Sequence, residues 1–145
     1  MLCGLFATGI MIAFMESIHH LHWARADMVE AIGTAITGNY SHSFRVGLFF
    51  DLFLGSVFAL VYYGFLRVAP ISTEASNIIL LAVLGIAQGL AVGMLLVIMT
   101  DASKTFQNFR TGHTGIILGY LSGHFIYGLS LAFVFLAFHV MPLSQ

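Results

Sequence analysis

An all-α protein that crosses a lipid bilayer four times is predicted by how apolar residues are distributed along this 145-residue chain. Four stretches, Leu2–His20, Val46–Leu66, Ile78–Met99 and Ile116–Val140, each approach or exceed the roughly 20 mostly apolar residues that a membrane helix needs. The composition agrees, with 59% hydrophobic and 8% charged residues and a mean hydropathy of +0.98. A soluble domain carries about 25% charged residues. None of the stretches alternates apolar and polar residues as a barrel strand would, and backbone in lipid must satisfy its own hydrogen bonds, so the spans are expected to be helices.

The first span does not read as a cleavable signal. It lacks a basic leader, and its end carries Glu16, His19 and His20 where small residues would be needed. The first link, Leu21–Arg45, holds a short amphipathic segment. Asp27 and Glu30 stand at capping-box spacing, Met28, Ile32, Ala35 and Ile36 recur on one face, and Gly38-Asn39 forms a stop. A helix over Asp27–Thr37 is expected, lying along the membrane interface between Trp23 and Tyr40 or packed on the bundle as an ordinary connector. The links Arg67–Asn77 and Thr100–Gly115 are short, and none of the three could hold a soluble domain. One four-helix transmembrane domain over residues 1–145 is therefore predicted. The two longer links carry Arg25, Arg45, Lys104 and Arg110, against Arg67 alone on the other side, so the positive-inside rule puts both termini outside.

The 15 glycines recur at four-residue spacing. Gly85, Gly89 and Gly93 do so in span three, and Gly115, Gly119 and Gly123 in span four. Gly47, Asp51, Gly55 and Ala59 share a face of span two, and Gly9 and Ala13 begin a similar pattern in span one. Residues four apart share a helix face, and small residues let membrane helices approach closely, so these GxxxG-like stripes predict helix seams. A second reading gives the glycines beside a histidine a different use, leaving room for a flat macrocycle such as haem or a chlorophyll-type pigment on His124. Spans two and four also share a faint repeat at an offset of 73 residues: Asp51, Gly55, Ala59 and Val61 correspond to His124, Gly128, Ala132 and Val134. Such two-helix repeats would be related by an axis along the membrane normal.

Ionisable groups inside spans are costly and usually face the bundle interior. Glu16, His19 and His20 lie at the end of span one. Asp51 is expected ~9 Å deep and His124 ~13–16 Å deep from the same side, at 1.5 Å per residue, with Gln88 near the middle of span three. Three uses are open. Asp51 and His124 could be a buried polar pair that fixes helix register. Glu16, His19, His20, Asp51 and His124 could hold one metal ion; Glu16-x-x-His19 is half of a di-iron helix motif, which requires two copies. A carboxylate–histidine chain could also carry protons or ions, given an oligomer or partner to complete a path. In His20-x-His22-Trp23 the histidines do not share a helix face, and His42, His113 and His139 at span ends receive no role. The lone Cys3 permits no internal disulfide. No P-loop, dinucleotide fingerprint or CxxC pair occurs, and with a net charge of −1 and no basic run no nucleic-acid partner is expected.

The order of pieces resembles a known pattern: Asp27-Met28-Val29-Glu30-Ala31-Ile32-Gly33 through Gly38-Asn39, then Asp51-x3-Gly55-x2-Phe58-Ala59-x2-Tyr62, and finally Gly123-His124-x2-Tyr127-Gly128. It is similar to a family of small four-helix bacterial integral-membrane proteins of unknown function. That resemblance implies the four-helix fold and a bacterial inner membrane, and supplies no activity or cofactor. Many members carry a histidine where Asp51 stands, so a shared histidine-pair role does not carry over.

With no enzymatic signature, the leading expectation is a small accessory subunit packed within a larger membrane complex, an energy-converting one among the candidates. Its partners would be other integral-membrane subunits and lipid. Large apolar residues expected to face outward are Phe49, Phe50, Phe53, Phe133, Phe135 and Phe138. The alternatives are a metal-, haem- or pigment-binding redox protein and a small oligomeric ion or proton transporter.

Overall fold

The computed structural model describes residues 2–20, 28–68, 73–102 and 113–138, excluding the side chains of residues 28, 100–102 and 113. These residues form helices α1 (Leu2–His20), α2 (Met28–Thr37), α3 (Ser43–Val68), α4 (Glu74–Ala102) and α5 (His113–Ala137), with a 3₁₀ turn at Tyr40–His42 and no strand. Helices α1, α3, α4 and α5 are long and apolar enough to cross a membrane. The spans predicted from sequence fall inside them, apart from the last residues of the fourth. The helices extend a few residues further because polar capping residues continue a helix past its apolar stretch. At the start of α4, for example, Thr73 Oγ1 accepts from Ser76 N at 3.2 Å, as an N-cap residue does.

Contacts between named residues fix the directions. On α1 and α3, Thr8 meets Gly55 and Gly4 meets Ser56 and Ala59, so the two helices run antiparallel. On α4 and α5, Leu81 meets Gly128, Gly85 meets His124 and Gly93 meets Ile117, again antiparallel. Helices α3 and α5 run parallel: Tyr127 bonds to Gly55, and Tyr63 packs edge-on against Phe135 with ring centroids 6.0 Å apart. Leu2 and Ala137 therefore lie at the same end of the bundle. α4 packs mainly on α5, α5 on α1, and α1 on α3, while α3 and α4 scarcely touch.

The repeat seen in the sequence recurs in the packing. Thr8 sits on Gly55 in one pair of helices, and Leu81 sits on Gly128 in the other. Both members of the second contact lie 73 residues after their counterparts. The α1–α3 and α4–α5 pairs thus share an antiparallel register offset by 73 residues, while their surroundings differ, since α5 packs on α1 and α4 scarcely touches α3.

Helix α2 is a third partner. Gly47 of α3 abuts Val29, and Gly33 abuts Ser43, so α2 folds back antiparallel along the first turns of α3. Its end is the expected one: Gly38 has φ +66° and donates its N–H to Thr34 O at 2.9 Å, a left-handed C-terminal stop. Its buried side is not the expected one. Val29, Ala31, Gly33 and Thr34 are buried, whereas Ala35 and Ile36 are exposed and Ile32 is half-buried. Close backbone approach at Gly33 and Gly47 outweighs side-chain size in choosing the face. Asp27 of the expected cap lies outside the described residues, as do Trp23, His22, Arg25, Lys104, Arg110 and His139.

The glycine seams hold for α3 and α4, with two corrections elsewhere. A Cβ on Gly85, Gly89 or Gly93 would run into α5, but it would meet the Tyr120–His124–Gly128 stripe, not the Gly115–Gly119–Gly123 stripe. Of the latter, Gly123 lies against Met15 of α1, while at Gly115 a Cβ would meet nothing within 4 Å. On α1, Gly9 and Ala13 are exposed, and the seam is made by Gly4, Ala7, Thr8, Met11 and Met15. Of the aromatic residues expected outside, Phe49, Phe53, Phe133 and Phe138 are exposed and Phe50 is half-buried. Phe135 is buried in the core, because it continues the inward α5 face one turn past Leu131.

Candidate functional site: a polar chamber

The shared register puts Asp51 and His124 at corresponding positions of α3 and α5. The parallel register brings Tyr127 Oη to Gly55 O, and Asp51 and His124 each stand about one turn before that bond on its own helix. Asp51 and His124 are 6% and 4% exposed, and both line a small cavity of about 50 Å³ together with Thr8, Gln88 and Tyr127. Met11, Ile32, Leu54, Gly55, Phe58 and Val92 supply its apolar walls.

Each polar group has a defined local role. His124 Nδ1 lies 3.0 Å from Tyr120 O one turn back. A carbonyl only accepts, so Nδ1 carries the hydrogen and the neutral ring keeps its lone pair on Nε2. The imidazole also stacks on the Tyr120 ring, with centroids 6.1 Å apart. Tyr127 Oη donates to Gly55 O at 2.6 Å, tying α5 to α3. Tyr62 Oη donates to Gln88 Oε1 at 2.6 Å, bridging the gap between α3 and α4. Thr8 Oγ1 donates to Gly4 O within α1 at 2.8 Å. Asp51 Oδ2 is buried and has no hydrogen-bond partner among the described residues.

The remaining candidates lie elsewhere. Glu16 and His19 line a second, more open cavity of about 580 Å³ between α1 and α2, beside Glu30 and Tyr40. There Tyr40 Oη donates to Glu30 Oε2 at 2.9 Å. His20 Nε2 pairs with Glu16 Oε1 at 3.2 Å on the exposed surface. The five predicted ligands thus divide between two places, and no group of three or more His, Cys, Asp or Glu placed to hold a metal ion occurs among the described residues. A macrocycle does not fit beside His124 either. Drug-sized ligands occupy about 300–1,000 Å³, the chamber offers about 50 Å³, and Gly85 and Gly89 are already filled by the α5 backbone.

Sequence reasoning missed Thr8 and Tyr127 as parts of the chamber and Tyr62 as the partner that holds Gln88. Tyr127 was legible: it stands one turn after His124 and so shares its face. Tyr62 and Thr8 carry no signal of their own, since an isolated hydroxyl in a span bonds its own helix as readily as a neighbour.

No family model, no curated protein and no solved structure matches this chain.

Proposed function

We propose that this chain is an accessory integral-membrane subunit that packs against a transmembrane helix of a partner membrane protein. One observation carries the reading. Gly9 and Ala13 sit one turn apart on the outer side of α1, in a groove of about 420 Å³ walled by Leu2, Leu5, Phe6 and Ile10. Most glycines of such stripes elsewhere in the fold are filled: Gly85, Gly89 and Gly93 by α5, Gly47 by α2, Gly55 by α1 and Gly123 by Met15, with Gly115 at the start of α5 open. At Gly9 a Cβ would meet nothing within 4 Å. Small residues at this spacing admit a second helix to close backbone contact, and lipid gains nothing from them. The exposed phenylalanines of α3 and α5 add apolar surface that lipid or a partner covers.

The reading extends to location: a bacterial inner membrane, from the family resemblance, with the Leu2 end outside, from the excess of basic residues on the opposite side. The test is mild solubilisation from native membranes, followed by size analysis and mass spectrometry of what copurifies. The wild type is expected to migrate with stoichiometric membrane partners. Gly9→Leu is expected to keep the helical fold, having open space at its Cβ, and to lose those partners. A wild-type chain that runs alone, or a Gly9→Leu chain that keeps every partner, refutes the reading.

A further inference from the structure

The chamber is lined by acceptors. The Thr8 hydrogen goes to Gly4 O, the Tyr127 hydrogen to Gly55 O, and the His124 Nδ1 hydrogen to Tyr120 O. What these residues still offer is lone pairs: Thr8 Oγ1, Tyr127 Oη and His124 Nε2. Asp51 adds a carboxyl group whose Oδ2 is buried and unpartnered. The Gln88 amide, whose Oε1 accepts from Tyr62, is the remaining side-chain donor among the polar residues lining the cavity. Among the described residues no Lys or Arg lines it.

An ionised carboxylate in such a place, without a counter-charge, is strongly unfavourable. A site for an anion or a sugar would present several donors, and the described residues of this one offer the Gln88 amide alone. What a ring of acceptors around one carboxylate accommodates is a single positive charge of small size. The cavity of about 50 Å³ has room for a water-sized guest. We propose that this chamber binds one monovalent cation at Asp51, either a proton or a sodium-sized ion, between the two repeated helix pairs. Coupling-ion sites of repeat-built membrane proteins lie at such repeat interfaces. The inference stands apart from the partner reading, which rests on the outer face of α1.

The described residues of other helices that line the chamber with Asp51 are His124 and Tyr127 from α5, the non-titrating Gln88 and Val92 from α4, Thr8 and Met11 from α1, and Ile32 from α2. Glu16, His19 and Glu30 line the other cavity.

The experiment uses the full chain in lipid nanodiscs, with aspartate carrying ¹³C at its side-chain carboxyl. An Asp27→Asn/Asp101→Asn background leaves Asp51 as the lone aspartate and keeps every described residue of the chamber, so the infrared readout does not depend on a core variant folding. Infrared spectra at neutral pH distinguish acid from carboxylate, and radioactive sodium measures ion binding. An Asp51 acid band in sodium-free choline buffer is the proton result. A carboxylate band with about one sodium bound per chain, reduced at least about tenfold by Asp51→Asn, is the sodium result. A carboxylate band with no sodium bound overturns the proposal.

Discussion

Replacing Gly89 with alanine adds one methyl group where two helix backbones meet, and the effect follows from the contacts. A Cβ at Gly89 would stand 2.5 Å from Tyr120 O, 2.9 Å from Leu121 Cα and 3.0 Å from His124 Cβ. Ordinary contact begins near 3.4 Å, so α4 and α5 must part locally by about 0.9 Å, and a gap of that size forfeits roughly a quarter to a half of each neighbouring dispersion contact. Two of the three neighbouring atoms are backbone, so a rotamer change cannot relieve the clash. Gly9→Ala is the matched control, since its Cβ meets nothing, and the gain in helix propensity common to both variants cancels in the comparison. The remaining difference is the overpacking cost, about 1–3 kcal/mol, or roughly 5- to 150-fold in the ratio of folded to unfolded protein. Unfolding by added SDS in mixed micelles, followed by far-ultraviolet circular dichroism, measures it. If Gly89→Ala proves as stable as Gly9→Ala, the α4–α5 seam does not depend on backbone approach and the packing account fails.

Two further substitutions separate inside from outside. Tyr62→Phe removes the donor to Gln88 Oε1 and is expected to destabilise by about 1–2 kcal/mol, while the double variant Tyr62→Phe/Gln88→Leu recovers part of that loss because no polar atom is left unmatched; a double-variant cycle in the same SDS titration reads the coupling. Phe135→Ala, in the core, should cost about 3–5 kcal/mol, whereas Phe49→Ala, on the outer surface, should stay within about 0.5 kcal/mol.

The sequence makes the four spans legible because the bilayer imposes length and apolarity on each of them independently of what they pack against. Which face of a span turns inward is a relation between two helices, and there composition misleads. The stripes on α3 and α4 were legible since close approach needs glycine wherever backbones touch. The stripe at Gly9 and Ala13 looks the same in sequence and has no neighbour in the fold. On α2, the larger Ile36 is outside and Gly33 inside, because lipid removes the hydrophobic reward that makes size a guide in water. Asp51 and His124 were legible as an inward pair, because charge in lipid leaves few alternatives.

The shared register of the two antiparallel helix pairs puts Asp51 and His124 at corresponding positions of α3 and α5, and both line one cavity. Two aspartates would set like charges together in a medium that screens them poorly, and two apolar residues would close the cavity. The chain instead has Asp51 in one pair and His124 in the other. The histidine's fixed Nδ1–H···O bond to Tyr120 turns an acceptor nitrogen, and no second donor, toward the shared space. The asymmetry therefore leaves Asp51 Oδ2 without a hydrogen-bond partner among the described residues, and that buried acceptor is where a cation would be held.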